Sequence, residues 1–94
     1  MRLDLFLKAS RLILRRSLAQ QFCDAGMVKL NGQKAKSARE VKEADEIEIR
    51  KSNRVLKIRV LKVPAGKQVS RAEAAGLYDI LSEEILEESE MGRG

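Results

Sequence analysis

The sequence predicts an α/β fold of the α+β kind: two N-terminal helices packed on a small, mainly antiparallel sheet, with one helix after it. The apolar period carries this expectation. It is helical up to Gly26, changes to two from Val28 onward, and returns to helical at Ser70. Length sets the scale, since 94 residues suffice for one small domain with a modest core and not for two.

Leu3, Phe6 and Leu7 stand at i, i+3 and i+4, an apolar stripe on a first short helix from whose flanks Arg2, Lys8 and Arg11 project. Asp4 fits a capping or first-turn acid that complements the helix dipole, or a partner for a nearby arginine; both roles are structural. Ser17-Leu18-Ala19-Gln20 matches a capping box, which predicts a second helix starting there with Leu18, Phe22 and Ala25 on its apolar face. Gly26 then suits the helix C′ position. Ser37-Ala38-Arg39-Glu40 fits the box pattern too, but no periodic apolar run follows and it reads as a loop.

Val28 and Leu30 alternate with Lys29, Asn31-Gly32 supplies a hairpin turn, and Gln33 to Ala35 returns. Ile47 and Ile49 mark a half-buried strand. Val55 to Val63 predicts a longer one, with Leu56, Ile58 and Val60 on one face and Lys57 and Arg59 on the other. Pro64-Ala65-Gly66 closes the sheet. Ser70-Arg71-Ala72-Glu73 is a third capping box, followed by Leu77, Leu81 and Ile85 at helical spacing with Ala74 and Tyr78 alongside. The expected organisation is a domain over 1–63, a linker over 64–70, a helix over 71–88 and a disordered tail over 89–94. Leu77 and Tyr78 fit core packing, with a docking surface as the alternative.

Charge is divided along the chain. Residues 1–39 hold nine Lys/Arg against Asp4 and Asp24, a net +7 in a chain whose total is +5. Residues 1–71 carry 18 basic and 7 acidic groups, and residues 72–94 carry 1 and 7. A compact basic surface attracts polyanions through counterion release, so nucleic acid is the expected ligand class. Phe6, Phe22 and Tyr78 are the only aromatics, too few for a base-stacking platform, so phosphate and shape recognition of RNA fits better. The acidic end reads as a solvated face that could also screen non-specific nucleic-acid binding.

Other chemistries are poorly served. With no histidine and a single cysteine, the sequence offers no Ser-His-Asp triad, no activator for a nucleophilic Cys23, and neither Cys₄ nor His-containing zinc ligation. Cys23 is therefore expected to be a buried structural thiol. No catalytic residue, metal or cofactor is expected. A lone cysteine suits a reducing compartment, no apolar run approaches the roughly 20 residues of a membrane span, and Asp4 and Lys8 interrupt any signal-like stretch. The expectation is a soluble cytoplasmic protein.

Taken in order, Arg2-Leu3-Asp4, Arg16-Ser17-Leu18-Ala19, Gly26-Met27-Val28-Lys29-Leu30-Asn31-Gly32, Lys36-Ser37 and Val41 through Ile49 resemble the RNA-binding domain named after small-subunit ribosomal protein S-four. The resemblance covers residues 2–63. One departure is Ala44 before Asp45, where that family has Gly-Asp; an alanine there strains the turn or changes its type. The opening nineteen residues and Glu73-Ala74-Ala75-Gly76-Leu77-Tyr78-Asp79-Ile80-Leu81 further resemble the standalone RqcP-type quality-control proteins, relatives of the ribosome-associated heat-shock protein. That resemblance implies a monomeric, non-catalytic factor on obstructed large ribosomal subunits. It would contact large-subunit rRNA and peptidyl-tRNA and support C-terminal alanine tailing by an RqcH-type partner. Large-subunit rescue, a DNA-binding regulator and a subunit of an enzyme whose catalytic chain is separate are the alternatives.

Arg2, Lys8, Arg11, Arg15, Arg16, Lys34 and Lys36 are the candidate RNA contacts. Arg15-Arg16 precedes a helix whose amides can join in holding a phosphate, and arginine's planar fork suits phosphate oxygens. A merely solvated pair is the competing reading. Lys34 and Lys36 fit RNA contact or solubility equally, and Lys57, Arg59 and Lys62 read as solvated.

Overall fold

The computed structural model describes residues 1–66 and 68–86, and it is an α+β domain as the sequence predicts. Helices α1 (Leu3–Ala9) and α2 (Arg16–Asp24) are followed by strands β1 (Val28–Leu30), β2 (Gln33–Lys34), β3 (Glu46–Lys51) and β4 (Arg54–Val60). A short helix α3 (Arg71–Ala75) and strand β5 (Tyr78–Ile85) complete it. All strand pairings are antiparallel, in the order β2-β1-β3-β4-β5.

The core is aliphatic apart from Phe6. Leu3, Phe6 and Leu7 of α1 are wholly buried against Val28, Leu30, Ile47, Ile49, Ile58 and Val60 from one face of the sheet, with Ile13 and Val41 beside them. Isolated helices of seven and nine residues are too short to persist in water, so this packing holds them. The N-cap side chain, Arg2, makes no capping bond to α1: the amides of Leu3 and Asp4 donate to the carbonyls of Arg39 (2.8 Å) and Ser37 (3.1 Å). The loop over 37–41 thus caps the first helix through its backbone.

Helix α2 departs from expectation at its start and on its apolar face. It begins at Arg16 with Arg15 as N-cap, and the Ser17–Gln20 capping box does not form. Its buried residues are Ala19 and Cys23, whereas Leu18 and Ala25 are exposed and Phe22 is half-buried. The buried stripe of α2 is made of small side chains; Leu18 is turned outward, and Phe22 packs half-buried against the rim of the core. The C-terminus forms a Schellman motif: Met27 N–H donates to the Phe22 carbonyl (2.9 Å) and Gly26 N–H to that of Cys23 (3.0 Å), with Gly26 at φ +77°.

The hairpin is as predicted. Asn31 (φ +51°) and Gly32 (φ +87°) make a two-residue turn of the I′ kind, and Leu30 pairs with Gln33. The Asn31 side chain accepts from Glu46 N–H (2.9 Å) and donates to Asp45 Oδ1 (3.1 Å), stitching the hairpin tip to the turn before β3. That turn holds Ala44 at φ +74°, so the departure from Gly-Asp keeps a left-handed conformation and accepts its strain.

The helix expected over 71–88 is corrected. Only its first turn forms, capped as predicted by Ser70 Oγ, which accepts from Glu73 N–H at 3.1 Å. Gly76 ends it, and Tyr78–Ile85 runs as β5 along β4, with a bulge where Ile58 faces Ile80 and Lys57 faces Ser82. Two forces decide this. A helix would leave the outer N–H and C=O groups of β4 unpaired, whereas β5 satisfies them. Of the expected stripe only Leu77 is buried, Leu81 and Ile85 being exposed, so helical spacing there had no core to face. Strand β4 likewise stops at Val60 rather than Val63. The tail expected over 89–94 lies outside the described residues.

Candidate nucleic-acid interface

The side chain of Asp4, fully buried, organises the basic end of the molecule. Asp4 Oδ1 accepts from Leu5 N–H (2.8 Å) and from Arg2 Nε (3.2 Å). Asp4 Oδ2 accepts from Arg2 Nη2 (3.2 Å), Arg16 Nε (3.2 Å) and Gln20 Nε2 (2.9 Å). Residues from the start of α1 and the first turns of α2 thus meet on one carboxylate, because packing α1 against α2 brings Arg16 and Gln20 over Asp4. Burial alone would raise the pKa of Asp4; the hydrogen bonds from Gln20, Arg16 and Arg2, with the charge of Arg2, outweigh it and hold the carboxyl below its ordinary 3.8.

The two guanidiniums are each 41% exposed. Each spends one edge on Asp4 and turns its remaining N–H donors to solvent, Arg2 in a two-pronged grip and Arg16 through Nε alone. The backbone of Arg2 is fixed as well, by a bridge to Glu40 and by Val41 N–H donating to Met1 O at 2.9 Å. The outcome is a pair of oriented cations whose side-chain entropy is already spent, able to hold two acceptor oxygens without further ordering.

The other candidate residues fall into separate groups. Lys8 and Arg11 are exposed and line a shallow hollow with Leu14, Gln68 and Val69. Arg11 sits at φ +63° just past α1 and donates through Nη2 to Val69 O (3.3 Å). Arg15 is exposed at the N-cap of α2. Lys34 and Lys36 line another hollow, with Cys23, Asp24 and Gly26 at the C-terminal end of α2. The structure therefore joins Arg2 and Arg16 and leaves the lysines apart from them. The outer sheet face carries cross-strand ion pairs of Lys57 and Arg59 with Glu46 (3.8 and 3.2 Å) and of Lys29 with Glu48 (4.0 Å).

Sequence reasoning underrated Asp4 and missed Gln20, which it spent on a capping box. The available signal was spacing: Gln20 lies one helical turn past Arg16, so both share a face. Cys23 is buried as expected, and burial, aided by the charges of Asp4 and Asp24, pushes its thiol from 9.0 up to about 11. It is a protonated packing group at neutral pH. Among the described residues no helix is long and apolar enough to cross a membrane, and no three Cys, Asp or Glu gather as a metal site.

Residues 1–47, which span α1, α2, the hairpin and the start of β3, match the S4 domain family, and the chain belongs to it. All seven candidate contacts lie inside that match. Over nearly the full length, the chain is similar to proteins named RQC P-site tRNA stabilizing factor. The one from Streptococcus pneumoniae (strain ATCC BAA-255 / R6) is 43% identical over 95% of this chain and 99% of that one. The one from Halalkalibacterium halodurans is 42% identical over 96% of this chain and 100% of that one. Among solved structures, the trimeric structure of Vibrio cholerae Heat Shock Protein 15 aligns with a TM-score of 0.79 and 32% identity, covering 87% of this chain and 82% of that one.

Proposed function

We propose that this chain is a non-catalytic RNA-binding factor of ribosome-associated quality control, which steadies P-site tRNA on the large ribosomal subunit by contacting tRNA and rRNA. The observation that carries this reading is the pair of arginines, Arg2 and Arg16, oriented on a buried carboxylate and open to solvent. Such a pair suits two neighbouring phosphates or one phosphate and a stacked base. Relatives named for P-site tRNA stabilisation support the choice of RNA. Lys8, Arg11, Arg15, Lys34 and Lys36 extend the contact along the backbone, where they add affinity without reading sequence. In this reading the chain acts as a monomer in the cytoplasm and supports C-terminal alanine tailing by an RqcH-type partner. The likeness to the heat-shock protein favours a second reading, large-subunit rescue through the same interface.

The test is binding to isolated large subunits carrying P-site tRNA across a salt series. Arg16→Ala and Arg2→Ala should each weaken binding and flatten the log–log salt slope by about 0.7–0.9, one counterion per lost phosphate contact. Arg16→Lys should recover the slope but not the affinity, since an ammonium cannot keep both the Asp4 bond and a forked contact. Wild-type affinity in the Arg2→Ala, Arg16→Ala double variant would refute the reading. Omitting this chain from a tailing assay that keeps the RqcH-type partner distinguishes the two cellular roles, since tailing should fall only if the chain supports it.

A further inference from the structure

We propose that β5 is a docking strand for an extended, basic protein segment, which adds to the sheet along its open edge. The strand ends the order β2-β1-β3-β4-β5, and no other strand of the described residues pairs with its outer side. It is eight residues long, exposed at every position after Tyr78, and fixed in place. It pairs with β4 from Val60–Tyr78 to Arg54–Ile85, and Leu86 N–H donates to Asn53 O just beyond (2.6 Å). An ordered edge of this length offers unpaired backbone donors and acceptors to an incoming chain.

The side chains specify what that chain must be. Ile80 lies opposite the buried Ile58, Glu83 opposite Leu56 and Ile85 opposite Arg54, so all three share the helix-facing side of the sheet. The helices do not reach that far, and each isoleucine is 59% exposed. On the other side stand Asp79, Ser82 and Glu84, opposite Arg59, Lys57 and Val55. A strand laid along β5 would therefore place alternate residues beside two isoleucines separated by Glu83 and beside a row carrying Asp79 and Glu84. Its complement sets lysine or arginine beside Asp79, Glu83 and Glu84 and apolar residues beside Ile80 and Ile85. A second copy of β5 would set acid against acid, and RNA would meet the same repulsion. This edge also lies at the opposite end of the sheet from β2, so a docked segment would not compete with a contact at Lys34.

The full chain, labelled with ¹⁵N, would be titrated with a synthetic peptide alternating lysine and valine. Saturable shift changes and slowed hydrogen exchange should appear at the amides of residues 79–85. Glu84→Lys should weaken the peptide about threefold to tenfold, the scale of reversing one cross-strand charge pair, and Arg16→Ala should leave it unchanged. Ile80→Lys serves as a second variant on the helix-facing row and should weaken binding as well. Equal binding of a peptide alternating glutamate and valine would overturn the proposal. So would shifts confined to other elements, β5 shifts produced by an RNA oligonucleotide, or concentration-dependent β5–β5 contacts between copies.

Discussion

Asp4 and Glu83 are both carboxylates near arginine, and they do opposite things. Asp4 is fully buried, takes five hydrogen bonds and fixes two guanidiniums; Glu83 is 45% exposed and meets Arg54 at 3.5 Å. The difference comes from the layer above each. Helices α1 and α2 close over the N-terminal end of the sheet and exclude water around Asp4, whereas nothing among the described residues covers β5. Where water is excluded, a charge is held by geometry and can aim its neighbours. Where water remains, an ion pair is screened and contributes little.

Mutation can sharpen this contrast. The largest expected effect is Phe6→Ala, which empties a fully buried site between α1 and the sheet and should cost about 3–5 kcal/mol in urea unfolding. Phe22→Ala, at a half-buried position on the rim of the core, should cost only about 1–2 kcal/mol by the same measurement. Equal losses would mean that the packing of α2 is assigned wrongly.

Asp4→Ala should come next, at about 1–3 kcal/mol near neutral pH, because it strips partners from arginines that can still turn to water. Its pH dependence carries a sign. The folded pKa of Asp4 lies below its unfolded value, so its contribution is fully present above the ordinary carboxylate range and is lost as pH falls through the lowered folded value. Wild type and Asp4→Ala should therefore converge in stability toward the most acid conditions. A gap that stayed constant from neutral pH to the acid limit would contradict the pairing.

Ala44→Gly should stabilise the domain by about 0.5–1 kcal/mol, since it relieves a left-handed alanine while the Ala44 N–H to Val60 O bond (2.8 Å) keeps the turn in place. Ile85→Asn on the exposed strand should stay within about 0.5 kcal/mol of wild type, as surface changes do. Thermal melts resolve both signs.

The same contrast explains what the sequence disclosed. Patterns written locally were legible: the Leu3/Phe6/Leu7 stripe, the Asn31-Gly32 turn, the Gly26 stop and the Ser70 cap all stand where residue spacing puts them. Glycine and asparagine at positive φ, and a serine three residues before an acceptor-seeking amide, act within a few residues and need no distant partner. The failures involve partners far along the chain. Residues 77–85 carry a helical stripe, yet the open edge of β4 decides their conformation, and that edge exists only once the sheet has formed. Gln20 fits a local capping box, but Asp4, sixteen residues earlier, claims its side chain. The candidate site was legible as a set of basic residues. Its division into one oriented arginine pair and outlying lysines was not, because that depends on how α2 rotates to bury Ala19 and Cys23 instead of Leu18.

The central claim is that Asp4 orients Arg2 and Arg16 for phosphate, and a single substitution separates orientation from charge. Asp4→Asn adds one positive charge to the basic face while removing the ionic clamp beneath it. With folding verified by circular dichroism, its affinity for large subunits carrying P-site tRNA would be measured at physiological salt. The account predicts binding about tenfold weaker than wild type despite the added charge, the cost of ordering two freed guanidiniums on the ligand. Binding as tight as wild type, or tighter, would show that the field of the basic face suffices and that the clamp has no part in recognition.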